Sequence, residues 1–166
     1  MKKHIILILV LIIICLLESS PAYAVDFTLP PSQIIIPSLD ISLPVTTVKI
    51  TEDETWEVSY QSASYGELTA LPGNKGNTII FAHALPYLFR KLPEIKKDDL
   101  IYVFTETDWF TYKVASTEII DPSNLKVLSE NNTRQLILYT CTGDNWQQRF
   151  IVKAVPVYWK ISYSMV

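Results

Sequence analysis

The chain has 166 residues, 49% of them hydrophobic and 19% charged, with 14 Lys and Arg against 17 Asp and Glu. A mildly acidic chain without a basic cluster cannot neutralise many phosphates, so nucleic acid is excluded as a natural partner. The length suits one domain with a sizeable core and is too short for two.

Lys2 and Lys3 precede a 13-residue apolar run from Ile5 to Leu17, followed by Glu18, a short polar stretch and Ala22-Tyr23-Ala24. That is the pattern of a secretory signal peptide. Such a run reaches about 20 Å as a helix, short of the ~30 Å hydrocarbon core. Residues 1–24 are therefore expected to be a cleaved signal peptide, with a retained amino-terminal anchor as the alternative, and the protein is expected to work outside the cytoplasm. Cleavage after Ala24 removes Lys2, Lys3, Glu18, His4 and Cys15, leaving a net charge near −4 with one Cys and one His. One thiol cannot form an intramolecular disulfide, and one Cys with one distant His cannot build a zinc site of the usual spacing. An exported protein that keeps an unpaired thiol raises the question of what the thiol does.

Residues 25–33 contain prolines and read as an extended lead-in to a single domain over residues 34–160. Short runs rich in Ile, Val, Thr, Tyr and Trp then recur: Ile34 to Ile36, Val45 to Ile50, Trp56 to Ser59, Thr78 to Ala82, Leu100 to Phe104, Trp109 to Ile120, Gln135 to Cys141 and Arg149 to Val155. Most are bounded by Pro, Gly, Asn, Asp or Ser, the signature of strands and turns. Helical periodicity is confined to Pro86 to Leu92, where Leu88, Phe89 and Leu92 suggest one or two turns. Eight strands with one or two short helices predict an all-β barrel or sandwich.

Three side chains at strand ends could do chemistry. Cys141 ends the run from Gln135, and Arg149 opens the next strand after a loop containing Gly143-Asp144-Asn145. If those strands pair as a hairpin, Cys141 and Arg149 lie opposite each other, with β-carbons roughly 5 Å apart. His83 follows the run Thr78 to Ala82, again at the carboxyl end of a strand. Together they could supply a nucleophile, a general acid/base and an oxyanion or substrate clamp. Singly, each has a plain structural reading. A free Cys is often a small core residue, a lone His beside apolar residues a structural one, an Arg at a strand start a solvated cation, and Trp146 a cover for the core as readily as a stacking platform.

Order and context add to this. Leu138-Tyr139-Thr140-Cys141, seven further residues and Arg149-Phe150-Ile151-Val152 resemble the sortase signature, in which a strand ending T-L-x-T-C precedes an Arg that opens the next strand. Pro72-Gly73-Asn74-Lys75-Gly76-Asn77-Thr78-Ile79-Ile80-Phe81-Ala82-His83 resembles the sortase segment P-G-x-x-G-N-x-x-x-x-G-H. Asp98-Asp99-Leu100-Ile101 is similar to the family's G-D-x-I strand, and Ile36-Pro37-Ser38-Leu39-Asp40-Ile41 to its opening strand. Ala82, Ile137 and Asp98 depart from the pattern, standing where the family usually has Gly, Thr and Gly.

The resemblance implies an eight-stranded β-barrel and a cysteine transpeptidase. Such an enzyme cleaves a sorting signal of the L-P-x-T-G type and joins the acyl part to an amine through a thioacyl-enzyme. By resemblance Cys141 is the nucleophile, His83 the general acid/base, and Arg149 the residue that holds substrate and stabilises the oxyanion. Thr140 and Trp146 are expected to contact substrate, Thr140 by a hydrogen bond near the oxyanion. The implied partners are surface proteins bearing a carboxyl-terminal sorting signal and an amine from cell-wall peptide or pilin. No cofactor is expected. Calcium activation would have to use Glu52, Asp53, Glu54 and Glu57, which read as easily as a solvated loop. The alternatives are a secreted Cys/His peptidase, which would hydrolyse without ligating, and a non-catalytic β-domain that binds surface ligands.

Overall fold

The structure is a computed structural model that describes residues 28–52, 55–124 and 132–157. The expected signal peptide or anchor and its cleavage point lie outside the described residues. So do the last three residues assigned to the domain. Among the described residues no helix is long and apolar enough to cross a membrane.

Eight strands are present: β1 (Gln33–Ile36), β2 (Ile41–Val48), β3 (Ala63–Gly66), β4 (Gly76–Phe81), β5 (Leu100–Phe104), β6 (Trp109–Ile120), β7 (Arg134–Thr142) and β8 (Gln148–Pro156). They close into a barrel in the order β1-β2-β3-β4-β7-β8-β6-β5, with β1 pairing β5 to complete the ring. Closure leaves no unpaired edge. Of the two architectures that the strand count allowed, the barrel is the one observed. Pairs β2–β3 and β4–β7 are parallel and the others antiparallel.

Strand alternation sends Ile34, Ile36, Ile80, Leu136, Leu138, Val152 and Ala154 into the barrel, where they pack with Ile101, Val103, Tyr112 and Val114. The opposite face of β4, β7 and β8 is also apolar. Ile79, Phe81, Ile137 and Ile151 form a second cluster with Val48, closed over by Trp56, Ile120 and Tyr139. Every residue of β4 is consequently buried, which explains why Thr78 to Ala82 reads as an unbroken apolar run. Ile137, in the position where the resemblance expects Thr, is fully buried in this outer cluster.

Two expected elements differ. Trp56 to Ser59 is not a strand, since Trp56 makes only an isolated bridge to Ile50. The third strand is Ala63–Gly66 instead, of low strand propensity but buried throughout. Packing dictates that choice: the Trp56 ring lies against Gly66, where an added Cβ would come within 2.6 Å of it. The helix expected over Pro86 to Leu92 is a series of turns ending in a single 3-10 turn, Leu92–Glu94. Pro93 has no N–H to extend a helix. The apolar residues that suggested one, Leu88, Phe89 and Leu92, are buried in the barrel core. The other regular helical pieces among the described residues are 3-10 turns at Pro37–Leu39 and Asp144–Trp146. Pro44 is tolerated inside β2 because it falls where pairing passes from β1 to β3.

Positive φ angles account for another departure. Asp98 adopts φ +73°, so the site calls for a left-handed residue, and Asp is among the few that tolerate that region in place of Gly. Leu68 is less suited. It has φ +66° in a turn closed by Thr69 N–H donating to the Gly66 carbonyl at 3.3 Å, and its side chain is 84% exposed. A leucine there has strain to lose and no burial to forfeit. Leu68→Gly is expected to stabilise the fold by about 0.5–1 kcal/mol, net of glycine's larger unfolded-state entropy. Urea denaturation checks this, and a lower midpoint for the variant would contradict it.

Candidate functional site

The seven-residue stretch after Cys141 behaves as a hairpin connection. β7 and β8 pair through Thr140↔Phe150, Cys141↔Arg149 and Thr142↔Gln148, so the thiol and the guanidinium occupy directly opposed positions. Gly143, at φ +79°, begins the turn. Asn145 and Trp146 follow at φ +54° and +62°, and this tight path brings the Trp146 carbonyl back toward β8. Arg149 Nη1 donates to the Trp146 and Gln148 carbonyls, each at 3.1 Å. The loop therefore anchors one end of the guanidinium.

His83 arrives from the other side of β7. The parallel register Ile80↔Leu138 and Phe81↔Tyr139 extends one residue further, with Ala82 N–H donating to the Tyr139 carbonyl at 3.3 Å. Carried on by one more residue, it sets His83 level with Cys141. By alternation His83, Cys141 and Arg149 all lie on the outer face of the barrel wall, just past Phe81, Tyr139 and Ile151. Cys141 is a free, half-buried cysteine, and His83 and Arg149 are half-buried as well.

The same alternation turns Thr140 inward. It is 1% exposed and its hydroxyl donates to the Ala82 carbonyl at 2.8 Å. Thr140 thus ties β7 to β4, its side chain turned away from the face that carries Cys141. Trp146 is exposed on the β7–β8 loop, where its backbone carbonyl holds Arg149. Asp53 and Glu54, half of the acidic stretch considered for calcium, lie outside the described residues.

Two tyrosines join the site without having been anticipated. Tyr139, two residues before Cys141, stacks on Phe81 at 4.8 Å, and Phe81 in turn stacks on Trp56 at 5.6 Å. Alternation back from Cys141 would have found Tyr139. Tyr60, from the long β2–β3 connection, stacks on the His83 ring at 4.2 Å with 26° between planes, and no local sequence pattern signals that contact.

Burial pushes the Tyr139 phenol well above its usual value of 10.0, the Arg149 charge opposing this and Cys141 adding to it. Between pH 10 and the folded-state value, the unfolded chain loses a proton that the folded chain keeps. Stability therefore falls as pH rises through that window, by up to ~1.4 kcal/mol per pH unit. Tyr139→Phe is expected to flatten the decline above pH 10, as read from denaturant midpoints at pH 9, 10 and 11. An equally steep decline in the variant would show that the phenol is not its source.

The family model described as Sortase domain matches residues 34–157. Sortase D of Bacillus subtilis (strain 168) is 25% identical over 107 residues, which is 64% of this chain and 51% of that protein. The chain thus spans about half the length of that curated relative. Among solved structures, a Clostridium perfringens Sortase D5 transpeptidase is 25% identical with a TM-score of 0.66, over 80% of this chain and 83% of that one. Sortase A from Corynebacterium diphtheriae is 26% identical with a TM-score of 0.68, over 81% of this chain and 64% of that one.

Proposed function

This chain belongs to the sortase family, and from that premise we propose that it is a cysteine transpeptidase with Cys141 as nucleophile, His83 as general acid/base and Arg149 as the oxyanion and substrate clamp. One observation carries the reading: the free thiol of Cys141 lies on β7 with Arg149 directly opposite on β8, and His83 follows the end of β4, the strand paired with β7 on its other side.

The chemistry follows from those positions. A thiolate is intrinsically very nucleophilic, even as the minor form of a cysteine. With the thiol proton passed to the His83 imidazole, the Cys141 sulfur attacks the amide carbonyl carbon of the sorting signal, and the carbonyl oxygen takes the electron pair as an oxyanion. A guanidinium already fixed by the β7–β8 loop stabilises that charge without reorganising. Collapse breaks the C–N bond, the amine leaves with a proton from the imidazole, and a thioacyl-enzyme remains. An incoming amine reverses these steps and is ligated. Water in its place would make the enzyme a peptidase.

The substrates of this reading are surface proteins with an L-P-x-T-G-like carboxyl-terminal signal, the acceptors are amines of cell-wall peptide or pilin, and the work is done on the extracytoplasmic side of the membrane. Mass spectrometry of the purified protein incubated with a library of such peptides and with glycine- and lysine-terminated amines tests it. Ligated products together with a protein adduct of the cleaved acyl fragment are expected. Hydrolysis alone would identify a peptidase, and an unmodified thiol with intact peptides would refute the enzyme reading.

A further inference from the structure

Resting on the proposed role of His83, we infer that Tyr60 is a positioning residue for that imidazole. His83 Nε2 is buried with no hydrogen-bond partner, and the contact across the ring face is the Tyr60 stack at 4.2 Å. A buried nitrogen without a partner is costly, and no hydrogen bond at that atom sets the tilt of the ring.

Tyr60 is placed for this by a rigid turn. Ser59 N–H donates to Ser64 Oγ at 3.1 Å, which ties the turn to β3. Ser59 Oγ accepts from the N–H groups of Gln61 and Ser62, both at 3.1 Å, and from the Ser62 hydroxyl at 2.9 Å. The Ser62 hydroxyl also lies 3.0 Å from Thr46 Oγ1 on β2. The backbone on both sides of Tyr60 is thus pinned to two barrel strands, while the Tyr60 ring itself is 67% exposed. An aromatic ring that exposed gains little from burial, so the fold has little stake in it. A rigid mount for an exposed aromatic lying flat on the imidazole fits a part that holds a proton donor at a set tilt.

Only the step that needs that proton should depend on Tyr60. In amide cleavage the C–N electron pair goes to the amine nitrogen, which must be protonated as it leaves. A nitrophenyl ester of the same acyl peptide forms the same S–C bond, but its leaving group departs as a stable anion.

The experiment compares acylation of Cys141 by the peptide amide and by the matching nitrophenyl ester in the parent protein and in Tyr60→Ala, Tyr60→Phe and His83→Ala. Tyr60→Ala is expected to lose roughly 10–10²-fold on the amide, a part of the ~10²–10⁴ that general acid catalysis contributes, and to keep its ester rate. Tyr60→Phe retains the stacking face and should recover most of the amide rate. In proton NMR the His83 ring signals, identified by their loss in His83→Ala, should move on Tyr60→Ala and stay in place on Tyr60→Phe. Equal losses on both substrates, an unchanged or raised amide rate in Tyr60→Ala, or a Phe variant as poor as the Ala variant would each overturn the inference. His83→Ala separates the two levels: if it keeps the parent's rates on both substrates, the role given to His83 fails. If it loses the amide rate and Tyr60→Ala shows no selective loss on the amide, only the inference about Tyr60 fails.

Discussion

Cys141→Ser is expected to abolish the acyl adduct and to lower turnover by ~10⁴-fold or more, the scale on which removal of a catalytic nucleophile acts. Serine is close in size and keeps its place opposite Arg149 in the β7–β8 ladder, so the fold should survive, with circular dichroism unchanged. What changes is the reacting atom. A hydroxyl ionises far less readily than a thiol, and the hydroxyl form is a poor nucleophile without a strong adjacent base. Intact-protein mass spectrometry provides the sharper readout, because the parent should gain the mass of the cleaved fragment and the variant should gain nothing. Turnover in Cys141→Ser within tenfold of the parent would remove Cys141 from the reaction and the cysteine-transpeptidase reading with it.

The parts of this site legible in the sequence are those set by short-range geometry. The pairing of Cys141 with Arg149 follows from one hairpin, whose loop length and turn residues fix the register locally. The position of His83 at a strand end was legible in the same way, but its place beside Cys141 was not. That depends on the parallel pairing of β4 with β7, which β5 and β6 separate in the chain. Thr140 shows a local rule at work: a period of two turns it into the wall, onto the Ala82 carbonyl. The same period places Tyr139 on the Cys141 face. The outer apolar cluster was hidden for a different reason. Burial of β4 on both faces erases its alternation, and one of the covering residues, Trp56, comes from a loop whose strand-like composition pointed elsewhere. β3 was missed because its Ala, Ser and Gly run against strand propensity, the glycine being required by the close approach of Trp56 to Gly66. The resemblance to a family covered these gaps by bringing His83, Cys141 and Arg149 together before any long-range contact was known.

Arg149→Lys is expected to lose at least ~10²-fold in turnover while folding normally, the magnitude that loss of one oxyanion donor carries, or roughly 3 kcal/mol. The structure sharpens the reason. Arg149 donates through Nη1 to two loop carbonyls, Trp146 and Gln148. The remaining nitrogens of the fork make no hydrogen bond among the described residues, and Cys141 stands directly across the ladder. A planar guanidinium can therefore hold the loop with one nitrogen and present another to an oxyanion at a fixed separation. A lysine ammonium is a single centre. It can satisfy the loop carbonyls or reach the substrate oxygen, but it cannot span both, although the formal charge is the same. With Cys141 and His83 intact, the acyl-enzyme should still form in Arg149→Lys, detectably but slowly, in single-turnover mass spectrometry. Parental rates in Arg149→Lys would mean that charge alone suffices and that the fork geometry is idle. Complete absence of acylation together with an altered circular dichroism spectrum would instead trace the loss to a collapsed β7–β8 loop, because the guanidinium that anchors its carbonyls would be gone.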